Sequence, residues 1–261
     1  MVMHKRTKGE ADLRGGGMSS ARLTAPLVAA AAFVAPLLAP LGIKAEAQVG
    51  AIGNVEAGEM EHQPARWSTD ACKEMRCRDP DAAEAMVNLV ESQRMNLNSI
   101  GSRVDLIVTG TPLGLGEPWF DGIEPAMARA MMSIPAARGV TFGRGFDVVN
   151  MTGLQHNDAW GGSPESPTPL GERPDGVLAG LATSAPIRCS VAFKPPSSIA
   201  SEQKTLHLES GAIEPLTVKG RHDPVLGPRA VAVVEAMAIL VLTDLAPVSY
   251  THLTLPTKRI V

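Results

Sequence analysis

The sequence predicts an α+β fold, and three observations carry that expectation. Helical and strand patterns mix along the chain without the regular strand–helix–strand rhythm that builds a parallel sheet. Aromatic residues make up only 3% of 261 residues, so the core must come from Ala, Val, Leu, Ile and Met. Gly (25) and Pro (21) are plentiful, which makes the chain rich in loops. The length suits one large domain or two small ones with a sizeable core.

The elements follow in order. Ala25–Ala47, "APLVAAAAFVAPLLAPLGIKAEA", is an apolar run after a basic start and closes on Ala-Glu-Ala. Read alone it resembles a secretory signal peptide. Glu10 and Asp12 sit in what would be its basic region, however, and Pro26, Pro36 and Pro40 interrupt it. Val49–Ile52 reads as a short strand. Asp79–Leu97 carries Ala83, Met86, Val87, Leu89, Val90 and Met95 at helical spacing behind an acidic start. Val104–Gly110 is β-branched and runs into turn residues, hence a strand. "TPLGLGEPWFDG" is a loop, and "IEPAMARAMMSIPA" is a helix that Pro135 stops. "GVTFGRGFDVVNMTG" alternates like a hairpin. Residues 161–175 are polar and proline-rich, an exposed, mobile connection. "IRCSVAFKP" and "KTLHLE" read as strands, and Ala230–Leu245 as a buried helix. There is no internal repeat.

A formal charge of −3 gives no nucleic-acid footprint and no polybasic membrane patch. Cys72, Cys77 and Cys189 are too few for a disulfide scaffold and fit a reducing compartment. With no matching His or Cys pair downstream, Cys72 and Cys77 give no zinc site, and no metal is expected.

Two stretches have the chemistry of a binding site. "DLRGGGMSSAR", Asp12–Arg22, places three glycines and two serines where a helix begins. Glycines permit close backbone approach, and a helix N-terminus offers free N–H groups and a positive dipole end to an anion. No Lys-Ser/Thr follows, so it is not a nucleotide-phosphate loop of the Walker type. "GRHDPVLGPR", Gly220–Arg229, sets two arginines, a histidine and an aspartate between glycines and prolines, a rigid charged loop. Either stretch could also be an ordinary linker or a solvated turn.

Four separated motifs then converge. "RGGGMSSAR" (14–22), "GLGEPWFDGIEPAMARAMMSIPAARGVTFGRGF" (114–146), "VAFKPPSSI" (191–199) and "GRHDPVLGPRAVAVVEAM" (220–237), in this order, resemble the chorismate synthase family, with "RCRDPDAA" and "HNDAW" fitting between them. The resemblance covers most of residues 12–244. It implies lyases that eliminate phosphate from 5-enolpyruvylshikimate 3-phosphate to give chorismate, an anti-1,4-elimination of the shikimate pathway that needs reduced FMN without net redox change. It further implies a sandwich of sheets around a central helical layer, a homotetramer, a cytoplasmic location, and NADPH as reductant where a member reduces its own flavin. Neither a nucleic-acid partner nor a membrane is implied. The Ala-rich run becomes the helix that starts at the flavin loop.

By the same resemblance, flavin contacts fall on Met18, Ser19 and Ser20, on Pro135 and Ala136, on Ala179, on Lys194, Pro195, Pro196, Ser197 and Ser198, and on Arg221. Asp223 matches the family aspartate near the flavin N5, where it assists proton transfer. The family has Arg where this chain has Met18 and Glu where it has Leu23, and loss of that fixed charge weakens the loop as a site. "GERPDGVLAG" replaces an Asn and Gly-Gly stretch before Ala179, and family members tend to have glycine near Ser184, so Asp175 and Ser184 carry a Cβ where the backbone is expected at positive φ.

Family members also carry Gly-Glu-Ser-His-Gly and Arg-Pro-Gly-His motifs ahead of the glycine loop, whose histidines act as general acids. Neither motif is in this chain. The expectation is therefore a chorismate synthase-like domain over 1–245, incomplete at its N-terminus. The remainder, 246–261, reads as a non-native tail, because Val248–Thr257 resembles a translated sequencing adapter. The alternatives are an inactive FMN-binding module of the same fold and an exported non-enzymatic protein, the latter resting on Ala25–Ala47 alone.

Overall fold

The computed structural model describes residues 2–10, 20–64, 67–220 and 222–254, with side chains to 247. Its α+β architecture has at its centre a five-stranded, wholly antiparallel sheet in which residues 55–56, 44–52, 102–109, 187–193 and 137–142 lie side by side in that order. A helical layer covers one face.

After a short helix α1 (Val2–Arg6), a 3₁₀ turn (Ala21–Thr24) leads into α2 (Ala25–Val34). Pro26 sits in the first turn of α2, where its missing N–H costs nothing. Pro36 and Pro40 then convert the chain to 3₁₀ turns. The signal-peptide-like run is thus no separate leader: it is α2, these turns and the first residues of β1 (Lys44–Ile52). Ala45, Glu46 and Ala47 pair with Val108, Ile107 and Leu106 of β3 (Ser102–Thr109), and Ala47 is buried. The strand expected at Val49–Ile52 therefore starts five residues earlier.

The register of β1 on β3 shifts around Gly50, where a side chain would overlap the Asp105 carboxylate. β2 (Val55–Glu56) closes the turn. Next come α3 (Asp70–Met75) and α4 (Pro80–Met95). Asp79 caps α4 by accepting from the Ala82 amide at 3.1 Å, and its other oxygen accepts from the Gly58 amide at 3.0 Å. Those two bonds hold its carboxyl below the usual carboxylate range.

The expected helix before Pro135 is α5 (Ile123–Met132), with Ile123, Ala126, Met127 and Met131 buried. β4 (Ala137–Phe142) follows, but the hairpin expected over 139–153 does not form. Gly143 and Gly145, at φ 54 and 58, turn the chain away into a 3₁₀ segment (Gly145–Asn150) and α6 (Gly153–His156), so β4 pairs with β9 instead. The expected mobile connection at 161–175 holds a small hairpin, β5 (Trp160–Ser163) with β6 (Ser166–Pro169). Its prolines fit because each strand has one partner. A second hairpin joins β7 (Val177–Leu178) to β8 (Leu181–Ala182), followed by β9 (Ile187–Phe193). β10 (Gln203–Leu206) and β11 (Ile213–Leu216) make a third.

α7 (Gly227–Thr254) exceeds the expected 230–245 at both ends, so the last three residues of the charged loop are its first turn. Its 227–247 stretch is long and apolar enough to cross a membrane by length and composition, yet over half of that stretch is buried in the protein. It packs on α2, α5, β1 and β3. The core is where the inward residues of the sheet, Val49, Val104, Leu106, Cys189 and Val191, meet Val234, Ala238 and Leu242 of that helix.

Candidate functional site

The site is assembled where β3 begins and β9 ends. Two loops leave this point, 194–202 after β9 and 217–226 before α7, and the residues preceding β3 fasten both. The Ser99 hydroxyl donates to the Pro196 carbonyl at 2.7 Å, and the Ile100 amide donates to the Pro224 carbonyl at 2.8 Å. A side chain at Gly227 would collide with Ser102, so the start of α7 can lie against β3 only as glycine. On the other side the Lys194 amide donates to the Ala136 carbonyl at 3.0 Å, joining the loop to the end of α5. Ala136 takes φ 73, a left-handed conformation with a Cβ present.

A cavity of about 430 Å³ opens between these pieces. Ser20, Pro135 and Asp223, three of the residues expected from the sequence, line it. With them are Arg22, Phe193 and Arg229, which the sequence reading did not single out. Ser20 caps the 3₁₀ turn by accepting from the Arg22 amide at 3.3 Å, which fixes the position of both at the mouth. The Arg229 guanidinium lies 3.0 Å from Asp223 Oδ1 and orients that carboxylate. The cavity therefore has an apolar wall of Ile134, Phe193, Leu226 and Val233 and a polar rim with two guanidinium groups. A flat, partly apolar ring carrying an anionic tail matches both surfaces.

Asp223 is also a wall of a second cavity, of about 200 Å³, with Ser198, His222 and Gly220. His222 Nε2 lies 3.0 Å from the Val218 carbonyl, which ties its ring to the loop. Lys194, Pro195 and Ser197 are exposed on the same loop, with Pro196 half-buried. Met18, Ser19 and Arg221 lie outside the described residues. Ala179 is not brought to this place. It forms, with Gly180, the two-residue turn between β7 and β8, at φ 52 and 92. The Gly180 carbonyl accepts from the Ile123 amide at 3.0 Å, at the opposite end of α5 from Pro135, about 15 Å away at 1.5 Å per residue. Ser184 has the positive φ expected of it, 68, whereas Asp175 does not.

Both short motifs between the long ones contribute structural bonds. Asp79 of "RCRDPDAA" is the cap described above. In "HNDAW" the Asp158 carboxylate accepts from the Asp175 amide at 2.9 Å, and His156 Nε2 lies 3.4 Å from the Asp175 carboxylate. Burial, with the Asp175 charge, raises the Glu124 carboxyl above its usual range. Another cavity, of about 510 Å³, lies on the other face of the sheet. Arg103 pairs there with Asp105, Arg173 with Glu59 and Arg188 with Glu61, so most of its charge is already neutralised.

Arg22 was legible: it stands two residues beyond the second serine of the glycine loop and supplies positive charge where Met18 removes it. Arg229 was hidden by its place in a helix, since only the fold shows that its first turn faces Asp223.

Comparison with known proteins gives one consistent result. A family model described as chorismate synthase matches residues 1–246. The chain is 42% identical over 248 residues to the chorismate synthase of Aeropyrum pernix, covering 94% of this chain and 64% of that protein. It is 38% identical over 236 residues to that of Methanosarcina mazei and 40% over 237 to that of Roseiflexus castenholzii, each time covering 90% of this chain and 64% of the relative. A crystal structure of a chorismate synthase superposes with a TM-score of 0.69 at 24% identity, covering 93% of this chain and 68% of the other. The chain thus spans slightly less than two thirds of the curated relatives' length.

Proposed function

Because the chain belongs to the chorismate synthase family, we propose that it contributes the flavin wall of a lyase that eliminates phosphate from 5-enolpyruvylshikimate 3-phosphate to give chorismate. The observation that carries this reading is the convergence of Ser20, Pro135 and Asp223 on one cavity from three distant parts of the chain. Reduced FMN, when bound, supplies the electron-rich partner that the elimination needs without being consumed. The cavity fits it: Phe193 and Val233 offer apolar surface to a ring, and Arg22 and Arg229 offer charge to a phosphate.

Within this reading each residue has a definite task. Ser20, through its hydroxyl hydrogen, and Arg22, through its guanidinium, receive anionic oxygens. Arg229 holds the Asp223 carboxylate in one orientation, and Asp223 takes up and returns a proton at the cavity wall. Lys194 and Arg221 balance negative charge from the two loops. The residues ahead of the glycine loop in longer family members would supply the general acids, and a homotetramer is the proposed assembly.

Two measurements test the proposal. FMN should quench on binding to this chain, and a protein extended to the relatives' full length should release phosphate anaerobically only when FMN is reduced. In that protein Asp223→Asn should retain FMN while turnover falls about 10²- to 10⁴-fold. Unchanged substrate under reducing, anaerobic conditions would refute the assignment. A second reading, an FMN-binding module without turnover, predicts quenching with no phosphate release from the extended protein.

A further inference from the structure

α3 ends in a left-handed cap at Arg76, φ 54, whose amide donates to the Cys72 carbonyl. The next amide, that of Cys77, donates to the same carbonyl at 3.2 Å. The first and last residues of this six-residue closure occupy the two positions that usually make an apolar contact across such a cap, and they are near enough for the charge of one to act on the other. Here both are cysteines, free and fully buried. Nothing in the proposed chemistry uses them.

Their surroundings differ in a directed way. Cys72 is the third residue of α3, beneath Ser68, Thr69 and Asp70, all exposed. Burial opposes ionisation of its thiol, but hydrogen bonds with the Thr69 and Ser68 hydroxyls outweigh it and lower the thiol below its ordinary range. Ser68 Oγ is 3.6 Å from Cys72 Sγ. Cys77 is pushed up to about 11, chiefly by burial, with the charges of Asp79 and Cys72 adding to the effect, and its Sγ–H donates to the Asp79 carbonyl at 3.6 Å. A thiol whose ionised form is favoured attacks first, and a neighbour with a higher value resolves.

We propose that Cys72 and Cys77 are a reversible dithiol–disulfide modification site for low-molecular-weight disulfides such as glutathione disulfide. The Cys72 thiolate attacks one sulfur of glutathione disulfide and expels a glutathione thiolate. Cys77 then gives up its proton, attacks the Cys72 sulfur and expels the second glutathione. One intramolecular S–S bond forms, and glutathione disulfide is reduced by two electrons to two glutathione molecules. Access needs only the first turn of α3 to open, and a six-residue helix is too short to persist on its own. The segment being locked is not idle: the Arg76 carbonyl accepts from the Val49 amide at 2.8 Å, and the Arg78 amide donates to Gln48 Oε1 at 3.1 Å, so this cap is attached to β1.

The test is peptide mapping of the folded full chain after equilibration with graded ratios of reduced to oxidised glutathione, followed by alkylation and trypsin. Lys73 and Arg76 lie between the two cysteines. The disulfide therefore links two separate peptides, Trp67–Lys73 and Cys77–Arg78, into one species that a reductant splits. The expected result is that this linked pair rises with oxidation and reverses on reduction, while Cys189 stays alkylated. Cys189 is buried on β9 with its thiol pushed up to about 12, so its alkylation only after unfolding for digestion also shows that the oxidised protein stayed folded. Three results would overturn the proposal: both thiols alkylated at every ratio, a stable glutathione adduct without the link, or a link to Cys189 or to a second chain.

Discussion

Glu235 reaches from α7 to accept the Ala47 amide hydrogen at 2.8 Å, and burial raises its carboxyl above the usual range against the opposing pull of that bond. A carboxyl whose value is raised on folding favours the native state below its unfolded value and loses that contribution as pH rises through the folded one. Glu235→Gln keeps an acceptor for Ala47 and removes the titration. Its stability relative to the parent chain should thus increase from acid to neutral pH, with the two chains closest in acid; urea unfolding across that range measures it. Asp79 has the opposite sign. Its lowered carboxyl stabilises the fold above the ordinary aspartate range, and that contribution is lost in acid as it protonates. Asp79→Ala should cost about 1 kcal/mol from the α4 cap alone, with a further loss from the orphaned Gly58 amide, seen as a lower midpoint in the same titration.

At the scale of elements, β3 and α7 carry the core. Leu106 on β3 faces Ala47 and Cys189 across the two ladders and is almost wholly buried. Leu106→Ala should destabilise by about 2–5 kcal/mol, and differential scanning calorimetry would show the drop in Tm. Elements with strong local signals were legible in the sequence. Asp79 before Pro80 announced α4, and the β-branched run at 104–108 announced β3. The hairpin misread at 139–153 shows the limit. Alternation identifies a strand but not its partner, and β4 finds β9 some fifty residues away in sequence because glycines at 143 and 145 divert the chain. β7, β8 and β11 are too short to show a pattern at all. The N-terminal run shows a different limit: by composition alone an apolar helix and an exported leader look the same, and it was the glycine loop ahead of it that pointed to α2.

For the molecule as a whole, the candidate cavity joins residues 20–22, 134–135, 193 and 223–233, which no local pattern could have related. The long motifs identified most of these segments, and the fold decided which of their residues meet. Asp223 with Ser20 and Pro135 was recoverable from the sequence; the Asp223–Arg229 pair and the displacement of Ala179 were not. Binding at such a joint stabilises every segment it holds. FMN at a hundredfold excess over its Kd should add about 2.7 kcal/mol to folding, and the thermal midpoint should climb with FMN concentration. A midpoint indifferent to FMN would count against a site made from these pieces.

The dressing of β1 has one more consequence. Along that border of the sheet the Val49 amide is taken by Arg76, the Ala47 amide by Glu235, and Ala51 and Ile52 pair with β2. At the opposite border β4 has β9 as its one strand partner among the described residues. Stacking copies border to border without end needs two receptive borders on every copy. With one border closed, two copies meeting through β4 would use up the open side of both, and growth would stop at a pair instead of running on into a fibre.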